Sequence, residues 1–257
     1  MEKFKQDEIK SFLDYKADLY ENENFIENDP VSIPHLFSKK EDIEISAFIT
    51  STISWGLRKT ILNNAKKIVD MMDLSPFDFV QNHTKSDLIP LSKFVHRTFN
   101  GNDLIFFIKS LKNIYLNHGG LENLFKPNNL NENMGEVIHQ MKKTFFSISH
   151  QGRTKKHISD PMKGSAAKRL NMFLRWMVRS KKKKVDFELW KSISPSQLSC
   201  PLDIHSGRVA RKLKILKRSQ NDFKATKELD LNLKKFNPID PVKYDFALFG
   251  LGVFENF

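Results

Sequence analysis

Residues 201–213 read Pro-Leu-Asp-Ile-His-Ser-Gly-Arg-Val-Ala-Arg-Lys-Leu, a stretch typical of the start of a helix. Asp203 has the position of an N-cap, because its side chain can accept hydrogen bonds from the N–H groups of the first turn. Val209 and Leu213, four residues apart, predict a buried face. Basic side chains follow Asp203 over the next turns: His205, Arg208, Arg211 and Lys212. A helix N-terminus with basic flanks is suited to bind phosphate, although an ordinary cap with a solvated basic face has the same pattern.

The whole chain is strongly basic. It has 257 residues, with 42 Lys and Arg against 30 Asp and Glu, so that its formal net charge is +12. Such an excess favours polyanionic partners, nucleic acid above all, because contacts with phosphates release counterions. A basic surface that reflects genome composition and has no such partner is the alternative.

Cofactor signatures are absent from the sequence. The single cysteine, Cys200, excludes an intramolecular disulfide and an iron–sulfur cluster held by cysteines of this chain. The eight histidines form no His-Glu-x-x-His pair, and there is no Gly-rich nucleotide loop. We therefore expect a protein that works without a metal or other cofactor.

No targeting or membrane segment is evident. The first residues are charged rather than apolar, and no apolar run approaches the ~20 residues of a membrane span. We expect a cytoplasmic, nucleoid-associated protein with no membrane partner.

The apolar spacing predicts an all-α fold. The chain has only ten glycines, and apolar residues recur at intervals of three and four over most of its length. A basic loop over 150–164 and proline-containing connectors separate the helices. The predicted helices cover 5–20, 41–54, 58–72, 77–82, 103–118, 121–125, 134–149, 165–179, the segment that Asp203 opens, 221–236 and 241–251.

Two segments resemble a known superfamily. Residues 164–171 read Gly-Ser-Ala-Ala-Lys-Arg-Leu-Asn, and residues 201–205 read Pro-Leu-Asp-Ile-His, with Arg208 following. Together they resemble the helix-hairpin-helix DNA glycosylases, a superfamily that includes endonuclease III and the 8-oxoguanine glycosylases. Lys168 and Asp203 fall on the positions of its nucleophilic lysine and essential aspartate. Their separation of 35 positions is closer to the archaeal 8-oxoguanine branch than to endonuclease III.

Other stretches extend the resemblance to roughly residues 40–255. Residues 48–55 resemble the early helix of the superfamily, 104–125 the segment before its hairpin, and 245–249 its base-reading positions. More narrowly, Leu-Arg-Trp-Met-Val-Arg at 174–179, together with 201–205, resembles a bacterial family to which no function is assigned. The chain also departs from the superfamily. Ala166 replaces the second hairpin glycine, the cluster cysteines are missing, and residues 181–200 must loop out if Lys168 and Asp203 are to meet.

The resemblance implies base excision. Attack by the Lys168 amine on the sugar releases the base and leaves a Schiff base, from which strand cleavage by β-elimination follows. The Asp203 carboxylate stabilises the positive charge that develops on the sugar. A flipped base needs a pocket, and the matching positions are Met172, Asp245, Phe249 and Trp55. The matching DNA-backbone contacts are Gly164, Ser165, Ala166, Arg169, His205 and Arg208. For each side chain, core packing or a solvated surface is the alternative.

We therefore expect a monomeric base-excision-repair DNA glycosylase with abasic-site lyase activity. Its partner would be double-stranded DNA with a damaged base, 8-oxoguanine being the leading candidate. Within a single unit over 1–257, residues 1–40 and 200–257 would form one subdomain. Residues 41–199, with the hairpin near 158–179, would form the other. The alternatives are a non-catalytic helix-hairpin-helix nucleic-acid-binding protein, an RNA-directed protein and a helical domain that binds a protein partner.

Overall fold

The computed structural model describes residues 2–129 and 132–257, and within these ranges the chain is mostly helical. This confirms the helical class that the apolar spacing predicts. A short antiparallel hairpin, β1 (Val95–His96) and β2 (Phe99–Asn100), is an addition that the spacing does not predict. The helices are α1 (Glu2–Tyr20), α2 (Asn24–Glu27), α3 (Lys40–Ile53), α4 (Arg58–Asp70), α5 (Pro76–Asn82), α6 (Leu88–Leu91), α7 (Gly101–Asn117), α8 (Gly120–Leu124), α9 (Met134–Phe145), α10 (Lys168–Val178), α11 (Ile204–Lys212), α12 (Phe223–Phe236) and α13 (Tyr244–Val253).

The chain divides into two compact units. The α10 unit comprises Met1–Phe25, Asn129–Glu136 and Ser159–Phe257, and the α7 unit comprises Ile26–Asn128 and Val137–Ile158. This division differs from the predicted subdomains, which place residues 159–199 with the central helices. The physical reason is that Arg179, at the end of α10, bonds to Glu21 after α1 and to Asp240 before α13.

The α7 unit has an aromatic core. Phe107 of α7 lies 4.8 Å from Phe145 and 5.2 Å from Phe99, measured between ring centroids. Asn100 caps α7 in a reciprocal capping box with Asp103, which satisfies N–H groups of the first turn. Gly101 lies so close to its neighbours that a Cβ there would be 2.2 Å from the carbonyl oxygen of Ser92, so only glycine fits.

In the α10 unit, the last helix packs against both α1 and α11. Gly250 of α13 permits the close approach, because a Cβ there would lie 2.1 Å from the Tyr20 ring. Apolar side chains from α1, α11, α12 and α13, and from the segments on either side of α11, fill the core of this unit. They include Leu13, Ala17, Leu202, Val209, Ala210, Leu216, Ala225, Leu229, Leu233, Ala247, Leu248 and Leu251.

Helix α10 begins later than the sequence predicts. The apolar spacing places its start at Ser165, whereas the structure begins it at Lys168. Gly164 and Ala167 both have positive φ, 91° and 49°, and Ser165 pairs as an isolated bridge with Asp222. These three residues therefore form a pinned turn before the helix. The basic loop over 150–164 contains two 3-10 turns, Gly152–His157 and Pro161–Lys163.

The described helices include none with the combination of length and apolar character that a membrane crossing requires.

Candidate active site

Asp203 is fixed by the helix that it caps. Its Oδ1 accepts hydrogen bonds from the backbone N–H groups of His205 and Ser206, at 2.8 and 3.0 Å. The Ser206 hydroxyl in turn accepts from the Asp203 N–H at 2.9 Å, which completes a capping box. The capping function considered from the sequence is therefore real. It occupies one carboxylate oxygen and leaves Oδ2 facing a different side chain.

That side chain is Lys168, the first residue of α10. Its Nζ lies 3.9 Å from Asp203 Oδ2 and 3.8 Å from the sulfur of Met172, one turn along the helix. The Lys168 and Asp203 side chains are 30% and 22% exposed, whereas Met172 is buried. The fold thus places an amine, a carboxylate and a polarisable apolar wall together at a site that solvent reaches.

Lys168 is the first member of a row along α10. Lys168, Met172, Arg175 and Arg179 follow one another at intervals of four, three and four residues, so they lie on one face of the helix. Carboxylates face each cation of the row. Lys168 faces Asp203, and the Arg175 guanidinium bonds to Asp245 at 2.5 Å. Arg179 bonds to three carboxylates at 2.6–2.9 Å: those of Glu21, Asp186 and Asp240. We call this row and its acids the α10 charge row.

Sequence reasoning missed the two arginines and their partners. Arg175 and Arg179 are both nearly inaccessible to solvent. The available signal was the spacing of the two arginines within the otherwise apolar Leu-Arg-Trp-Met-Val-Arg stretch at 174–179. A charged side chain on the buried face of a helix needs a partner. The partners lie at positions 21, 186, 240 and 245, and nothing in the local pattern identifies them.

Asp245, a predicted base-reading residue, is buried in this row. Burial raises the pKa of its carboxyl, and the neighbouring Arg175 opposes that rise. Its Oδ1 lies 3.9 Å from the Cys200 sulfur, and burial followed by the charge of Asp245 raises the pKa of that thiol well above its usual value. A base edge that reached Asp245 would have to compete with the ion pair to Arg175.

The other predicted pocket residues have different surroundings. Phe249 is half-buried and meets Phe25 and Phe254 edge-on, at 6.0 and 6.3 Å between centroids. Trp55 belongs to the α7 unit, where its ring contacts His96 at 4.9 Å and stacks on His157 at 6.1 Å. The structure therefore brings Lys168, Asp203 and Met172 together within the α10 unit. It places Trp55 in the other unit.

The predicted phosphate-binding residues form the two helix starts. Gly164 is exposed with open space around its Cα, and the Ser165 hydroxyl accepts from the Ala167 N–H at 3.1 Å, while Ala166 is half-buried between them. Burial lowers the pKa of Arg169 to about 10. At α11, His205 is half-buried. Arg208 is exposed but donates a hydrogen bond to the Gly252 carbonyl at 2.8 Å.

The segment 181–200 packs back on α10 rather than looping out. The Phe187 N–H bonds to the Trp176 carbonyl, and the Trp190 N–H bonds to the Met177 carbonyl at 3.0 Å. Trp190 is fully buried, edge-on to Phe173 at 5.3 Å. This anchoring delivers Asp186 to Arg179. The extra length between Lys168 and Asp203 is thus part of the support for the site.

No cluster of three or more His, Cys, Asp or Glu side chains suited to a metal occurs among the residues that the structure describes. At Lys168 the structure places an amine 3.9 Å from a carboxylate.

The fold and the site define a mostly helical protein with a lysine–aspartate pair at the starts of two helices. Comparison with protein families then gives a match over residues 29–254, and the chain belongs to that family, described as "Protein of unknown function (DUF2400)". No curated protein and no solved structure matches the chain.

Proposed function

We propose that this protein is a helix-hairpin-helix DNA glycosylase with abasic-site lyase activity. The observation that carries the proposal is the distance of 3.9 Å between Lys168 Nζ and Asp203 Oδ2, each at the start of its helix. An amine held beside a carboxylate is the pair that base excision through a Schiff base requires. The net charge of +12 supports a polyanionic substrate.

In the proposed reaction, Asp203 acts through charge. As the bond between C1′ and the base breaks, positive charge develops on the sugar, and the Asp203 carboxylate stabilises it. The leaving base takes a proton from solvent or from the site. Lys168 first gives up a proton to solvent, and its free amine then forms a bond to C1′. The ring oxygen O4′ leaves C1′ and takes a proton from the nitrogen, so that the sugar ring opens and a Schiff base results. Loss of a proton from C2′ then expels the 3′ phosphate, and hydrolysis frees Lys168.

The structure supports a division of labour within Asp203. Because Oδ1 is held by two backbone N–H groups, the side chain cannot rotate without losing its cap. Oδ2 is thereby aimed at the amine in advance of substrate binding. Preorganised charge of this kind needs little rearrangement as the reaction proceeds, which is the main source of electrostatic catalysis.

The substrate within this proposal is double-stranded DNA with an oxidised purine, 8-oxoguanine first. The test is release of base and strand cleavage on duplexes that carry 8-oxoguanine or an abasic site. We expect Lys168→Gln to lose cleavage on both duplexes. Lys163→Gln is the matched control, since this exposed lysine lies five positions earlier and its loss changes the net charge equally. Equal activity of wild type and Lys168→Gln would contradict the proposal.

A second candidate is a non-catalytic DNA-binding protein that keeps the helix starts. The ion pair between Asp245 and Arg175 favours it, because that pair closes the predicted base-reading position. This candidate predicts salt-sensitive duplex binding, no base release from any damaged duplex, and no effect of Lys168→Gln beyond the charge effect seen in Lys163→Gln.

A further inference from the structure

The α10 unit contains a cavity that the charge row does not use. Its volume is about 570 Å³, within the range of roughly 300–1,000 Å³ that small-molecule sites occupy. One side of the cavity is the helix α12, and the other is the segment before Cys200 together with the start of α9. Its walls combine the apolar side chains of Met134, Leu198, Phe223 and Leu231 with about as much polar surface.

Two carboxylates line this cavity: that of Glu132, just before α9, and that of Asp230, on α12. Asp230 is half-buried, and its Oδ1 accepts a hydrogen bond from the Cys200 N–H at 2.8 Å. The Ser199 side chain also hydrogen-bonds to it, which uses about half of the acceptor sites of a carboxylate. Burial raises the pKa of Asp230 to about 7. The carboxylate therefore has acceptor capacity left for a donor within the cavity.

Two lysines flank this carboxylate on the same face of α12. Lys227 lies three residues before Asp230 and Lys234 four residues after it, and both line the cavity while exposed to solvent. The Lys227 amine also lies 4.9 Å from the centroid of the Phe223 ring. These two amines can receive an anionic group, while the Glu132 carboxylate also lines the cavity.

Phe223 is an aromatic wall with a fixed position. It packs against Gly135 of α9, where an added Cβ would lie 2.4 Å from the edge of the ring. The absence of a side chain at Gly135 therefore decides where the ring lies. A planar ligand that enters the cavity meets a flat aromatic surface on which it can stack.

We propose that this cavity is a binding site for a guanine nucleotide. The Asp230 carboxylate accepts from the guanine N1–H and the 2-amino group, the base stacks on Phe223, and the phosphate meets Lys227 and Lys234. Guanine is favoured because it presents two adjacent donors, whereas the corresponding edge of adenine has one donor beside an acceptor. The ligand is either a free nucleotide or an unpaired guanine of a nucleic acid, which share this chemistry. The site is independent of the proposed glycosylase reaction.

The experiment is calorimetric titration of the full chain at pH 8, where Asp230 is largely ionised, with guanosine 5′-monophosphate, adenosine 5′-monophosphate and guanosine. We expect saturable binding of the guanine nucleotide, weaker binding of guanosine and the weakest binding of the adenine nucleotide. Asp230→Asn should weaken the guanine nucleotide roughly tenfold or more, as the loss of charged hydrogen bonds implies. Equal affinities for the two nucleotides, or an unchanged affinity in Asp230→Asn, would overturn the proposal.

A second variant guards against misfolding of Asp230→Asn. The double change Lys227→Gln and Lys234→Gln should weaken the nucleotide and leave guanosine unaffected, with Lys235→Gln as an exposed control on the same helix. An equal loss of affinity for guanosine and for the nucleotide would overturn the assigned orientation.

Thymidine pentamers with and without one central guanine distinguish a free nucleotide from an unpaired guanine of a nucleic acid as the ligand. Tighter binding of the guanine-containing pentamer than of the free nucleotide supports an unpaired base, and weaker binding supports the free nucleotide. Equal binding of the two pentamers, with no binding of the mononucleotide, would overturn the proposal.

Discussion

Asp103 in the α7 unit and Asp245 in the α10 unit are both buried carboxylates that bond to an arginine, yet their pKa values shift in opposite directions. Although burial acts against it, hydrogen bonds from the Asn100 N–H, Thr154 and Arg153 lower the pKa of Asp103. Burial outweighs Arg175 and raises the pKa of Asp245. More donors reach Asp103, and burial weighs more heavily on Asp245, so the balance between the two effects has opposite signs.

The two groups of charged side chains also differ in their access to solvent. Asp103 is enclosed by donors of its own unit, from Asn100, Arg153, Thr154 and His157, the last at 3.1 Å. The α10 charge row sets four acids against two buried arginines and ends at Lys168 and Asp203, which solvent reaches. Buried charge in the α7 unit is thus enclosed by its own donors. In the α10 unit, a network of the same kind ends in a lysine–aspartate pair that solvent reaches.

The largest expected effect is the removal of Arg179. Arg179→Met leaves Glu21, Asp186 and Asp240 without their shared cation, and breaking a buried pair in this way costs about 3–5 kcal/mol. Urea unfolding measures the loss. Lys183→Met removes an exposed lysine just after α10 that pairs with Asp18, and it should change the free energy of unfolding by less than about 0.5 kcal/mol. Similar losses in the two variants would contradict the network.

The next effect is a change in the free energy of unfolding with pH, and it has opposite signs for His157 in the α7 unit and Asp230 in the α10 unit. Burial lowers the pKa of His157 to about 4 from 6.5, so the folded state binds fewer protons than the unfolded state between these values. Its contribution to stability is complete above pH 6.5 and is lost as the pH falls toward 4, by up to about 3 kcal/mol. Asp230, whose pKa is raised to about 7, changes stability in the opposite direction on acidification.

The variant His157→Gln isolates the histidine from the other titrating groups. The difference in free energy of unfolding between wild type and His157→Gln should shrink from pH 7 to pH 4.5. A difference that stays constant over this range would show that His157 does not titrate as its burial implies.

A smaller effect tests whether Arg175 and Asp245 act as a pair. Arg175→Met should destabilise the protein by itself, because it strands a buried carboxylate. Arg175→Met with Asp245→Leu should restore much of the loss, since apolar replacements of a buried pair are often tolerated. We expect a coupling free energy of about 1–3 kcal/mol from the double-mutant cycle. Additive effects would contradict the pairing.

Sequence reasoning found the parts of the molecule that depend on local pattern. It predicts that Asp203 caps a helix, and the structure has that helix over Ile204–Lys212 with the capping box in place. Lys168 and Asp203 were selected together by a resemblance between short motifs, and they lie 3.9 Å apart. Their roles in base excision stay predictions.

The features that the sequence does not predict depend on contacts between residues far apart in the chain. The turn before α10 depends on the bridge between Ser165 and Asp222, and no local propensity predicts the positive φ of Ala167. The charge row depends on acids far away in the chain. The division into units follows from those same contacts. No local sequence pattern near residue 200 indicates where the units divide.

The smallest effect on stability belongs to Asp203. Asn is about as good an N-cap as Asp, so Asp203→Asn should change the free energy of unfolding by no more than about 0.5 kcal/mol. Base release should nevertheless be abolished, because the charge at Oδ2 is gone. Asp222→Asn is the matched control at the N-cap of α12 and should keep activity. Full activity of Asp203→Asn would reduce Asp203 to its capping function.

The most direct test of the account is borohydride trapping. The protein is mixed with a labelled duplex that carries an abasic site, reduced, and digested so that the modified peptide can be identified by mass spectrometry. The account predicts a covalent complex with the adduct on Lys168, absent in Lys168→Gln and retained in Lys163→Gln. An adduct on any other lysine, or a complex that survives in Lys168→Gln, would contradict the assignment of Lys168 as the nucleophile.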